Sequence, residues 1–188
     1  MNGRLCLLSA FSILFQPGVS AQAQPQDSYK KWLNEDVRWI ATSRERAAFT
    51  GLKSDTQRDD FIVAFWERRN PTPGSTENPF KMEHYRRIAY ANMHFAGKMP
   101  GWRTDRGRIY IVYGPPDAID FHGSNPYQLA SGVKASTDPF EVWHYKSIAG
   151  FGSDVTVRFV DKCRCGDYRQ VSAPSDEHEL PLPDSPVD

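Results

Sequence analysis

The chain of 188 residues has few cysteines, few histidines, no surplus of either charge and no long apolar run. Three cysteines and five histidines are scattered without the paired spacing and four ligands that a structural zinc site needs. Glu83-His84 lacks the second spaced histidine of a zinc protease helix, and neither a nucleophile elbow nor a phosphate-binding glycine loop is present. Lysine and arginine number 23, as do aspartate and glutamate, so the chain has no polycationic character that would mark a nucleic-acid binder. The longest apolar stretch, residues 5–15, falls short of the roughly 18 to 20 residues that a membrane span requires. These absences predict no metal, no cofactor, no nucleic-acid partner and no membrane span.

What is present first concerns address. Arg4, the apolar stretch 5–15, a Pro17-Gly18 break and small residues at Val19, Ala21 and Ala23 have the order of a secretory signal peptide. Residues 1–23 are therefore expected to be removed, leaving a periplasmic or secreted protein. Residues 172–188 combine four prolines with five acidic residues and no basic one, the composition of a disordered tail. Residues 24–171 remain as one domain, large enough to bury a core. With Arg4 and the tail set aside, its positive charges exceed its negative ones by only four.

Periodicity divides the domain. Leu33, Val37 and Ile40 have helical spacing within 28–46. Ser54 and Gln57 form a capping-box pattern ahead of Phe61, Ile62, Phe65 and Trp66, and Pro71 ends that helix. A third helix over 78–95 places Tyr85, Ile88, Asn92 and Phe95 on one face, with Gly97 closing it. Residues 108–113, 140–145, 155–161 and 167–171 are short and rich in β-branched and aromatic side chains, so they read as strands, the last two joined as a hairpin. Three N-terminal helices and then a small antiparallel sheet of three to four strands make an α+β fold. The connection 115–139 is long enough to be functional or disordered.

One stretch concentrates backbone-directing residues. Gly101 suits a sharp change of direction after Pro100, and Trp102 offers an apolar face to pin it. Thr104, Asp105, Arg106 and Gly107 have the chemistry of a tight turn, with Asp105 accepting a bond from an N–H two residues on and Gly107 adopting positive φ. Gly114 releases the chain from the preceding element, Pro115 and Pro116 force an extended exit, and Asp117 can cap the next element. Every residue here has a local backbone reason. Trp102, Asp105 and Arg106 can equally line a recognition surface.

The run from Gly101 to Asp117 resembles the signature of the GWxTD domain family of bacterial extracytoplasmic proteins. The likeness extends through Phe65-Trp66-Glu67-Arg68-Arg69-Asn70-Pro71-Thr72-Pro73, Asn78-Pro79-Phe80, Arg87-Ile88-Ala89-Tyr90-Ala91-Asn92 and Gly166-Asp167-Tyr168-Arg169. The resemblance implies a domain with no assigned reaction. Cys163-Arg164-Cys165 departs from it, standing where the family has a polar, glycine-containing turn.

Candidate chemistry is sparse. Cys163 and Cys165 are the cysteines left after leader removal, and pairing them closes a very small ring at the edge of normal disulfide geometry, a candidate redox pair. Asp105, Asp117, Asp120, His122 and His144 could form the acid–base set of an extracytoplasmic hydrolase. Strand alternation sets Tyr110 and Val112 against Ile109, Ile111 and Tyr113, and Trp143 and Tyr145 against Val142 and His144, so rings occupy both faces. Such a sheet presents either an aromatic interaction face or a second core beneath the long connection. The reading favoured is a non-catalytic module that binds an envelope or secreted protein, with the hydrolase as the alternative.

Overall fold

The computed structural model describes residues 25–128 and 134–171. The expected leader, 1–23, and tail, 172–188, lie outside the described residues. The fold is α+β, with five α-helices and a four-stranded antiparallel sheet among them.

α1 (Pro25–Lys31) runs into a π-helical turn, Trp32–Asp36, and the helix stops there. The continuous helix expected over 28–46 is thus broken, because Thr42 and Glu45 form a capping box of their own and start α2 (Ser43–Gly51). α3 (Asp55–Glu67) begins at the Ser54–Gln57 box as its sequence indicates. α4 (Pro79–His94) is capped by Asn78, whose Oδ1 accepts the Lys81 N–H at 2.9 Å, with proline in the first turn where its missing N–H costs nothing. Its buried side carries His84 and Ala91, whereas Asn92, which the spacing assigned to that face, is exposed.

α5 (Asp105–Tyr113) corrects the strand expected over 108–113. Residues Gly107 to Ile111 are buried without interruption, and such a short apolar run does not reveal its period. Local capping decides instead: Thr104 starts the helix, and Gly114, at φ 89°, ends it. The alternation assigned to Tyr110 and Ile109 therefore does not exist.

The sheet comprises β1 (Ala118–His122), β4 (Phe140–Ile148), β5 (Gly152–Val160) and β6 (Arg169–Val171), in the order β1-β4-β5-β6, every pair antiparallel. The hairpin between β5 and β6 forms as the sequence indicates. The long connection is not structureless: it contributes β1, and β2 (Pro126–Gln128) pairs with β3 (Lys134–Ser136) as a separate ribbon.

Two cores result. Ile109 and Tyr110 of α5 pack with Trp143, Tyr145, Ile148, Val155, Val157 and Phe159 on one face of the sheet. Trp32, Val37, Phe49, Phe65 and Trp66 form a separate aromatic core among α1, α2 and α3. α4 serves both, since Tyr85 joins the helical core while Tyr90 stacks on Tyr110 at 4.4 Å. No helix among the described residues is long and apolar enough to cross a membrane.

Candidate functional site

The run 101–117 is best understood from its contacts. Gly101 lies so close to α4 that a Cβ would fall on the Ala91 carbonyl, and a Cβ on Gly107 would fall on the carbonyl of Gly101. Thr104 Oγ1 donates to Gly101 O at 2.8 Å and accepts from Gly107 N at 3.0 Å, capping α5. Gly107 is therefore required for close approach and not for the positive φ of a turn. Trp102 N donates to Asn92 Oδ1 at 3.0 Å, and Trp102 O accepts from Trp39 Nε1 at 2.8 Å.

Asp105 does not cap its own turn as expected. Its Oδ2 accepts the backbone N–H of Gln170 in β6 at 2.9 Å. Arg106 pairs with Glu141 at 2.8 Å, with both side chains largely buried, and lies 4.2 Å from the Tyr168 ring. Arg108 reaches Gln170 Oε1 at 2.8 Å. At the far end, Arg87 donates to the carbonyls of Ile111 and Val112, where the helix dipole favours a cation, and Tyr145 OH donates to Gly114 O at 3.1 Å. Pro115 is exposed and Pro116 half-buried, and the chain then enters β1. Asp117 holds that entry through its N–H to His144 O and its Oδ2 from Lys146 N, both at 2.8 Å.

A GWxTD domain model matches residues 14–164, most of the chain. The chain belongs to the GWxTD domain family. No curated protein and no solved structure matches it. In this GWxTD domain the residues that give the family its name, Gly101, Trp102, Thr104 and Asp105, join α4, α5 and β6, and each makes an internal contact.

The proposed acid–base set is divided by the fold. Asp105 faces β6, at the opposite edge of the sheet from β1. His122 stacks on Phe140 at 4.2 Å. Asp117 and His144 do come together, lining a hollow of about 250 Å³ with Lys146, Asp154 and Thr156. Asp120 of the same set joins them, its Oδ2 lying 2.8 Å from His144 Nε2. Thr156 pairs directly with His144 across β4 and β5, so aspartate, imidazole and hydroxyl sit side by side on three neighbouring strands. The hydroxyl is buried and has no hydrogen-bond partner, His144 included.

The aromatic face is also reassigned. Trp143 and Tyr145 are buried beneath the helices, so they belong to the core and not to an open surface. β1 is what lies open. All five of its residues are exposed, and among the described residues it is paired on one side only, with β4. Ile119 and Phe121 are in register with Trp143 and Glu141, hence on the helix-covered face, yet they remain 50% and 65% exposed. The helical layer stops at β4 and leaves them uncovered.

A larger cleft, about 710 Å³, lies among α1, α2 and α3. Two of its cations are engaged: Arg46 donates to Leu33 O and Asn34 Oδ1, and Arg58 to Asp55 Oδ1 and Leu52 O. Asp161, Cys163 and Cys165 bring ligand-type atoms within 4.8 Å of one another, but the two sulfurs are joined as a disulfide.

Proposed function

We propose that this GWxTD domain is an extracytoplasmic binding module that receives an extended segment of an envelope or secreted protein along β1. The single observation that carries the reading is that strand: a sheet edge unpaired among the described residues, with two large apolar side chains in solvent. Native sheets normally shorten, charge or cover such an edge, because its unpaired N–H and C=O groups accept another strand. An added strand supplies main-chain hydrogen bonds, while Ile119 and Phe121 offer an apolar strip to alternate side chains of the partner. The leader pattern of residues 1–23 and the disulfide between Cys163 and Cys165 support an address outside the cytoplasm.

The test places a photo-crosslinking residue at Phe121 and, as a control, at the equally exposed Val63 of α3, in cells making the full chain. One adduct of discrete size is expected from position 121 alone, and Ile119→Lys abolishes it. Equal adducts from both positions, or none from 121, reject the reading. A hydrolase is the second reading, favoured by the 2.8 Å Asp120–His144 contact beside Thr156. Ester or amide hydrolysis lost in both His144→Ala and Thr156→Val would move the function to that hollow.

A further inference from the structure

The turn between β5 and β6 holds a group that neither the fold nor the binding surface uses. Cys163 and Cys165 are bridged with a sequence separation of 2, and both residues are exposed. A cross-link closing so short a loop removes little entropy from the unfolded chain, so it contributes little to holding the domain together. The β5–β6 ladder closes this hairpin independently, with Val160 in register with Arg169.

Asp161 lies directly beside the bridge and is only 4% exposed. Its Oδ2 accepts Gly166 N at 2.7 Å, and its Oδ1 accepts Cys165 N at 3.1 Å while lying 3.2 Å from Cys163 Sγ. The carboxylate thus touches one sulfur and reaches the other cysteine through its backbone. Lys162 and Arg164 alternate with the cysteines, placing positive charge along the exposed turn, the setting that favours a thiolate. Arg164 holds the left-handed backbone at φ 53° that brings the two cysteines together, and its guanidinium reaches Asp138 at 3.5 Å.

We propose that Cys163 and Cys165 form a thiol–disulfide exchange site for disulfides and dithiols of other polypeptides, with Cys165 as the exchanging sulfur, Cys163 as the resolving one and Asp161 as its proton acceptor. In the oxidising direction for this chain, the Cys165 thiolate attacks a partner disulfide. A Cys165–partner S–S bond forms, the partner's own S–S bond breaks, and the electron pair leaves on the partner's other sulfur, which takes a proton from solvent. The Cys163 thiol then passes its proton to Asp161 Oδ1 and attacks Cys165 Sγ. The internal bond forms, the mixed disulfide breaks, and the second partner sulfur leaves and is protonated. Two electrons pass from the cysteine pair to the partner, and Asp161 returns its proton to solvent. The reverse sequence oxidises a partner dithiol.

The experiment uses the full chain with glutathione as probe and mass spectrometry as readout. Millimolar reduced glutathione is expected to open the bridge in the folded protein, with the thermal midpoint moving by less than about 2 °C. In the reduced protein, glutathione disulfide labels Cys165 in Cys163→Ser at least about tenfold faster than it labels Cys163 in Cys165→Ser. Asp161→Asn slows closure of the bridge on the order of 100-fold, and the mixed disulfide accumulates on Cys165. A bridge that opens only when the domain unfolds, equal labelling of the two cysteines, or closure indifferent to Asp161→Asn overturns the proposal. Should Asp161→Asn fail to fold, the two serine variants and the midpoint decide it.

Discussion

Gly107 packs its α-carbon against the carbonyl of Gly101, leaving no room for a side chain between the start of α5 and the turn that precedes it. At an exposed helical position, replacing glycine by alanine gains about 1 kcal/mol. Here the sign reverses. Gly107→Ala forces the backbone of 101–103 off α4 and is expected to cost about 3 kcal/mol or more, the upper end of what overpacking does. A thermal midpoint equal to or above that of the parent chain would refute the close-packing account.

Asp105 acts at a distance of 65 residues, through the backbone N–H of Gln170. Asp105→Ala leaves that donor without its partner, and a loss of roughly 1 to 3 kcal/mol is expected. Asp105→Asn keeps an acceptor oxygen and removes the charge, so it should fall between the two. Melting curves of the three proteins test the order; an unchanged midpoint in Asp105→Ala would return this aspartate to the pool of ligand-binding candidates.

Acid should weaken the fold in two windows. His84 is buried with Nε2 2.6 Å from Asp36 O, and burial, ahead of the neighbouring Arg87 and Arg69, lowers its pKa below the usual 6.5. The unfolded chain then binds a proton that the folded one refuses, so stability is complete above 6.5 and declines as pH falls below it. Glu45 sits at about 2: burial opposes its ionisation, but Arg69, the Thr42 N–H and Arg68 outweigh it. Glu83, held mainly by Arg86, also sits at about 2. Both depressed carboxyls stabilise the fold above their ordinary 4.5, and that contribution disappears as pH falls to about 2. Glu45→Gln should cost roughly 1 kcal/mol at neutral pH and flatten the lower window. Midpoints measured from pH 8 to 2 that decline in parallel for both proteins would contradict this.

Thr156 Oγ1 is buried without a partner. Thr156→Val exchanges that hydroxyl for a methyl of similar shape, and the midpoint should rise, by an amount corresponding to roughly 1 kcal/mol. A fall would mean that the hydroxyl is satisfied in solution and would strengthen the case for a reacting group in the hollow beside His144.

The contrast between α3 and α5 shows what the chain makes legible. α3 announces itself through Ser54, Gln57 and a stripe with polar neighbours, because it buries only Phe65 and Trp66 fully and leaves its polar side in water. α5 is buried from Gly107 to Ile111, so no polar face records its period, and Ile109, Ile111 and Val112 read as a strand. The correct clue was Thr104, whose bond to Gly107 N is a helix cap rather than a turn. The break between α1 and α2 was likewise recorded in Thr42 and Glu45 and overridden by the longer stripe. Candidate site residues divide in the same way. Cys163 and Cys165 are near neighbours in sequence and could be singled out directly. Asp120 finds His144 only after β1 folds back along β4, and the exposure of Ile119 and Phe121 depends on where the helical layer ends, which no local pattern encodes.

The shared position of α4 between two separate cores has a further consequence. One end of this helix belongs to the aromatic cluster of α1 to α3, with His84 against Asp36, and the other to the sheet layer, with Arg87 at the end of α5; beside it, Trp39 joins the halves by donating to Trp102 O and lying under Arg108. The domain is built as two cooperative units on a common shaft. The helical unit can open while the sheet stays closed, so native-state hydrogen exchange should divide into two tiers, with the amides of β4 and β5 the last to be released.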